Sequence, residues 1–282
     1  MIITEPGLYA DLDEVTYHRD PTAQGSLSST GARLLLDSPA HYAYETTHRR
    51  DTPAFRLGRA IHTQILGAGQ TIVEYPDKHL TPSGNASTKA ATRLWEAEQE
   101  QAGKVPLSPA NYATTHAIVE AVLAHRGARG LLEQGGQSEV SAFGIDPHSG
   151  IWTRARIDHL GEIAIDLKTT AGTASPDGFA RAAAKYNYPV QEAHYLATLA
   201  WCGIELDRPM HFIVVEKQPP HLVAVHTFDE ATRLAGSQLA ENAREIYAAC
   251  TESNTWPAYG DAPIETTLPS WWFNQLDEEI EI

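Results

Sequence analysis

Cysteine is nearly absent. The 282-residue chain holds two, Cys202 and Cys250, and no CxxC pair. Two thiols cannot ligate an iron–sulfur cluster or a four-cysteine zinc site. They could close one disulfide, but nothing around them calls for it, and a reducing cytoplasm is the simpler expectation. Long apolar runs are missing too, so no membrane span is expected. Met1 leads into Ile-Ile-Thr-Glu-Pro-Gly without the basic start of a secretory signal. A GxxxxGK[ST] loop and a dinucleotide glycine fingerprint are both lacking, which removes support for a hydrolase of small phosphorylated substrates. Basic residues are scarce: 21 Lys and Arg against 36 Asp and Glu give a net charge of −15. Charge alone therefore argues against nucleic acid as a partner. Distribution argues the other way. Arg49, Arg50, Arg56 and Arg59 fall close together, and Arg154 and Arg156 lead into a pair of carboxylates. A basic groove on an acidic body and a scatter of solvated arginines are equally open readings.

What is present suffices for a core: 42% of residues are hydrophobic, and six are Trp. The pattern predicts one domain over 1–282, with a mainly helical part at 1–130, strands and helices carrying the chemistry at 131–255, and a tail at 256–282. Residues 1–25 read as loop and short strand. Ser28 or Ser29 caps a helix through Leu34-Leu35-Leu36 that stops before Pro39, and a short helix follows over 39–49. Leu57, Ile61 and Ile65 mark a buried helix over 53–68. A strand-like Thr71 to Tyr75 precedes a polar helix over about 87–102, and Ser108-Pro109 opens a helix to about 126. Then the period changes to two, with strands at 137–145, 151–160 and 163–169 and a turn at 146–150. Helices opening at Ser175-Pro176 and running over 188–202, strands at 209–217 and 221–228, and a helix over 229–252 complete an α/β plan with one mixed sheet. The acidic tail beyond Trp271-Trp272-Phe273 reads as a solvated terminus or a docking segment.

Chemistry concentrates between Arg154 and Thr170. On a strand, Asp166 and Lys168 share a face while Ile165, Leu167 and Thr169 take the other. An acid and an amine on what reads as a central strand are costly unless used. Asp158 depends on register. A two-residue turn at Gly161-Glu162 pairs it with Ile165 and turns it away from Asp166. A three-residue loop, Leu160-Gly161-Glu162, or a bulge pairs it with Ala164, on the face of Asp166 and Lys168. Gln191 and Tyr195 share a helix face at i, i+4 spacing, as an ordinary surface pair or a buried tyrosine would. His62, one turn after Gly58, reads as a core histidine or a ligand. Glu139 opens the first strand of the meander, where a solvent-facing residue would also fit.

Together these pieces resemble the PD-(D/E)XK nuclease superfamily, and more narrowly its RecE-like (exodeoxyribonuclease VIII type) and RecB-type exonucleases. The matching runs are G-R-A-I-H ending at His62, R-A-R-I-D ending at Asp158, I-D-L-K-T-T around Asp166 and Lys168, Q-E-A-H-Y from Gln191 to Tyr195, and L-S-S-T-G-A-R-L-L-L-D-S-P-A-H-Y from Leu27 to Tyr42. The family's usual glycine three positions before the first aspartate is Ala155 here, and the cysteine count excludes its iron–sulfur branch. The resemblance implies a restriction-endonuclease-like core, a central mixed sheet flanked by helices, with a helical N-terminal part. It implies that His62, Asp158, Asp166 and the Leu167 backbone carbonyl ligate one Mg²⁺ or Mn²⁺, with Glu139, the acidic residue preceding the pair, serving a second metal. Lys168 then orients the attacking water, and Gln191 and Tyr195 support the lysine and the DNA backbone. The implied activity is 5′→3′ exonuclease action on linear double-stranded DNA, leaving 3′ single-stranded ends for phage-type recombination beside a RecT-like single-strand annealing protein. The implied state is a homo-oligomer. Another nuclease of the superfamily and an inactive DNA-binding module are the alternatives.

Overall fold

A computed structural model describes residues 2–48, 53–67 and 71–273. In chain order the elements are β1 (Gly7–Tyr9), α1 (Glu14–His18), β2 (Ser26–Ser28), α2 (Ser29–Asp37), α3 (Pro39–Thr47), α4 (Pro53–Leu66), β3 (Thr71–Glu74), α5 (Ala90–Gln101), β4 (Lys104–Leu107), α6 (Pro109–Ala124), α7 (Arg126–Leu132), β5 (Gln137–Ile145), β6 (Trp152–Leu160), β7 (Ala164–Thr170), α8 (Pro176–Tyr186), α9 (Tyr188–Trp201), β8 (His211–Glu216), β9 (Val223–His226), α10 (Glu230–Ser253) and α11 (Ser270–Phe273). Many helices start where the sequence supplies an oxygen for an orphan amide. Ser28, Ser108, Ser175 and Asp229 accept from the backbone N–H three residues on, at 3.1, 3.4, 3.2 and 2.8 Å.

Seven strands form one mixed sheet in the order β1-β5-β6-β7-β8-β9, with β2 as a side branch on β6. Val140, Ala142, Ala155 and Ile157 pack with Phe179 of α8 and with Tyr195 and Leu199 of α9. Ile165, Leu167, Ile213 and Val215 pack on the opposite face with Ile61 of α4 and with Ile118 and Val122 of α6. Helices thus cover both faces of a mixed sheet, as expected. A third layer joins α2 and α10 to α9 through Ala32, Leu35, Val190, Ala240 and Ala243. There Gly236 of α10 lies so close to α9 that an added Cβ would stand 2.5 Å from the Pro189 carbonyl oxygen. Backbone cannot yield as a side-chain tip can, so Gly236→Ala should cost roughly 1–3 kcal/mol of stability. A lowered urea midpoint checks this.

Several details depart from the sequence reading. Residues 14–18 form α1, capped by Asp13, where only loop and strand were expected. The helix predicted to run to about 126 ends at Ala124, and α7 starts afresh with His125 as its N-cap. The N-terminal part also contributes strands that carry no periodic signal: β2 pairs in parallel with β6, and β4 in parallel with β3. The hairpin loop between β6 and β7 has three residues, but they are Gly161-Glu162-Ile163, one residue later than predicted. Gly161 is needed there, because a Cβ would meet the Gly135 carbonyl oxygen at 2.6 Å.

Candidate active site

The site lies in a gap that the strand pairing creates. One edge of β6 is paired along its length with β5. The other edge is shared: β2 takes residues 152–154, and β7 takes only His159 and Leu160. Residues 155–158 of β6 therefore have no ladder partner on that edge. Into this opening Asp158 puts its carboxylate, and Oδ2 accepts the Leu167 backbone N–H at 2.7 Å. A side chain thus stands where a ladder carbonyl would otherwise be.

Register aligns three acids across adjacent strands. Ser138↔His159 and Val140↔Ile157 place Glu139 opposite Asp158, and His159↔Ile165 continues the line to Asp166. Asp158 thus lies across from Asp166 and not from Ala164. Glu139 has φ 57°, a backbone conformation uncommon for a residue other than glycine. α4 brings His62 from the far side of the chain; its Nδ1 is 3.4 Å from Asp158 Oδ2. His62, Glu139 and Asp158 each present a ligand atom within 4.8 Å of the others.

Asp166 is 2% exposed and stands just outside that trio. Its Oδ1 accepts Gln191 Nε2 at 2.6 Å, and its Oδ2 is 2.5 Å from Lys168 Nζ. Gln191 closes the triangle, since its Oε1 accepts from Lys168 Nζ at 3.0 Å. The ammonium also stands 4.7 Å from the centre of the Tyr188 ring, within cation–π range. Tyr195 is buried on the same helix, and burial holds its hydroxyl well above its usual pKa. Of the pair expected to flank the lysine, Gln191 makes the contact, whereas Tyr195 packs in the core against β5 and β6. Tyr188 was not singled out from sequence. Its only signal is a position before Pro189 at a helix start.

Electrostatics indicate what the cluster lacks. Burial, and then the Asp166 charge, push Asp158 up to about 8. Burial also raises Glu139, with Asp158 adding to it and Arg156 opposing. Burial lowers His62, against the pull of Asp166 and Glu139, so the imidazole is neutral and free to act as a ligand. Asp166 Oδ2 is buried without a hydrogen bond and is ion-paired with the lysine ammonium. An imidazole and three crowded carboxylates are short of positive charge and rich in oxygen donors. This donor set fits a divalent cation such as Mg²⁺, with Mn²⁺ favoured by the imidazole.

Arg154 and Arg156 do not line the basic groove that was one of two readings. Arg154 is buried, and its Nη1 donates to Asp20 Oδ2 at 2.6 Å, to Ser26 Oγ at 2.8 Å and to the Ser26 carbonyl. Arg156 donates to Glu139 Oε2 at 2.7 Å, to Ser141 Oγ at 2.7 Å and to the Leu12 carbonyl at 2.9 Å. It fixes one oxygen of Glu139 instead of facing solvent, so Glu139 is not the solvated strand residue of the plainer reading. Arg59 lies in the field of Glu14. Arg49 and Arg50, and the side chain of Arg56, lie outside the described residues.

A comparison with curated proteins gives no match. Among solved structures, one from Eubacterium rectale, provisionally described as an exonuclease, shares the fold over 100% of both chains with a TM-score of 0.55 at 10% identity. LHK-Exo in complex with dAMP aligns over 71% of this chain and 96% of its own at 16% identity, with a TM-score of 0.22 that carries no argument. Residues 28–265 match a family described as a PDDEXK-like domain of unknown function (DUF3799). That span takes in the whole gap, from Ser29 through His62 and the three acids to Tyr195, and the chain therefore belongs to this PDDEXK-like family.

Proposed function

We propose that the chain is a divalent-cation-dependent deoxyribonuclease that shortens linear double-stranded DNA in the 5′→3′ direction and leaves 3′ single-stranded ends. The observation that carries this reading is the convergence of His62, Glu139 and Asp158 in the sheet gap, with Asp166, Lys168 and Gln191 beside them. His62, Asp158, Asp166, the Leu167 carbonyl and Glu139 are the groups that would hold Mg²⁺ or Mn²⁺. The bound cation would supply Lewis acidity, lowering the pKa of a water and offsetting charge on the phosphate. Lys168 supplies a positioned ammonium that donates to the attacking water or to a phosphate oxygen once it leaves Asp166. Gln191 keeps that ammonium in place through the exchange, and Tyr188 stabilises its charged form.

Polarity and end dependence rest on the resemblance to RecE-like exonucleases, as do a RecT-like annealing partner and a homo-oligomeric state, while a cytoplasmic site of action rests on the scarcity of cysteine. No helix among the described residues is long and apolar enough to cross a membrane. Digestion of end-labelled linear duplex should require Mg²⁺ and remove the 5′ label first, while closed circles should stay intact. Cutting of circles would replace the exonuclease with an endonuclease of the same superfamily.

Proton linkage offers a second check. With Asp158 raised to about 8, the folded protein keeps a proton that the unfolded chain has already released. The stability this proton contributes is complete below about pH 4 and is lost as pH rises through about 8. A cation takes the proton's place. The thermal shift produced by Mg²⁺ should therefore grow between about pH 6 and pH 9, and Asp158→Asn should flatten that growth. A shift independent of pH would contradict the assignment.

A further inference from the structure

We propose that Tyr186, at the turn between α8 and α9, is a stacking platform for a nucleobase of the strand being cut, at the nucleotide flanking the scissile phosphate. This rests on the nuclease reading and adds to it how the strand is held. Tyr186 is a large aromatic left 50% exposed at the end of α8. Its ring stacks on Tyr188 at 5.8 Å and 24° between planes, and Tyr188 stacks in turn on the fully buried Phe212 at 6.2 Å and 15°. The exposed ring is thus the outer end of an aromatic column rooted in the core. Asn187 makes this possible: its left-handed backbone, φ 51°, ends one helix and starts the next, so that residues 186 and 188 bring their rings together.

The column passes the chemistry. Lys168 Nζ lies 4.7 Å from the Tyr188 ring, one ring inward from the exposed one. Cations also border the outer ring on a chain that is short of them. Lys185 Nζ stands 5.4 Å from the Tyr186 ring centre. Arg33 Nη1 donates to the Tyr186 carbonyl at 2.9 Å and is braced by bonds to Thr30 Oγ1 and the Ser29 carbonyl. An exposed ring with an ammonium near it and a guanidinium on its own backbone carbonyl suits a base with its phosphate backbone. Stacking tolerates any base because every base has a π-face. A base can reach such a ring only when it has left its partner, so the platform would favour an opened duplex end over an intact duplex interior.

The test uses the full chain and duplexes carrying either a terminal 2-aminopurine or an abasic residue on the strand that is cut. Binding is followed by fluorescence without divalent cation, and cleavage is followed separately with Mg²⁺. Tyr186→Ala should bind the normal duplex roughly fivefold to a hundredfold more weakly and lose the 2-aminopurine quenching. Tyr186→Phe and Tyr186→Trp should retain both, because stacking needs a ring and no hydroxyl. The abasic duplex should bind weakly to the unaltered protein and be indifferent to Tyr186→Ala. If the unaltered protein cuts DNA while Tyr186→Ala and the abasic duplex change binding by less than twofold, the platform is overturned and the nuclease reading stands. If the unaltered protein neither binds nor cuts DNA, both fall.

Discussion

Lys168→Ala should reduce Mg²⁺-dependent cleavage of linear duplex by about 10²–10³-fold while leaving cation binding intact. Lys168 Nζ is the only ammonium placed against Asp166 among the described residues, and Gln191 and the Tyr188 ring hold it there. Its removal leaves His62, Glu139 and Asp158 untouched. It also frees Asp166 Oδ2, a buried oxygen with no hydrogen bond of its own. The variant should therefore bind Mg²⁺ or Mn²⁺ at least as well as the unaltered protein, as read by calorimetry. Loss of turnover with retained binding separates a group that acts on water and phosphate from one that builds the cation site. Undiminished hydrolysis would remove Lys168 from the mechanism. Asp158→Asn should show the opposite pattern, losing binding and turnover together.

The second large effect concerns the frame of the site. Arg154→Ala should destabilise the protein by about 3–5 kcal/mol, because it leaves the Asp20 carboxylate without a countercharge beside a buried position. The arginine side chain is 6% exposed and its partner 22%. Asp20 also accepts the Ser26 backbone N–H at 2.6 Å and the Ser26 hydroxyl at 2.8 Å. Arg154 therefore ties β2 to β6 and holds open one end of the gap occupied by Asp158. Urea unfolding should report the loss. Combining Arg154→Met with Asp20→Asn should recover part of it, since a matched neutral pair strands no charge. Full stability in Arg154→Ala would show the ion pair to be incidental.

Local signals carried most of the secondary structure. Ser108-Pro109 and Ser175-Pro176 each open a helix because a side-chain oxygen and a preset φ act on the nearest amides. The alternation over 137–145 coincides with β5, although residues 140–144 are buried on both faces of the strand. The hairpin loop was legible in its parity but not in its position. Moving it by one residue changes the partner of Asp158 from Ala164 to Asp166, and Gly161 then lies close against Gly135. β2 and β4 were not legible at all, since a three- or four-residue parallel strand is formed by a distant partner. The arginines show the same limit. Neighbours in sequence suggested a basic groove, whereas acids far along the chain, Asp20 and Glu139, claim Arg154 and Arg156.

By itself the sequence determined the kinds of groups this protein brings to its chemistry, their order along the chain, and the strands and helices that bear them, because capping and periodicity act over a few residues. Only the tertiary structure decided that β6 would be left bare between β2 and β7, and that an imidazole, three carboxylates and an ammonium would meet at that opening. Strand pairing and packing act between residues far apart in the chain, such as Ser26 and Trp152 or His62 and Asp158, and no local pattern encodes where such partners come to rest.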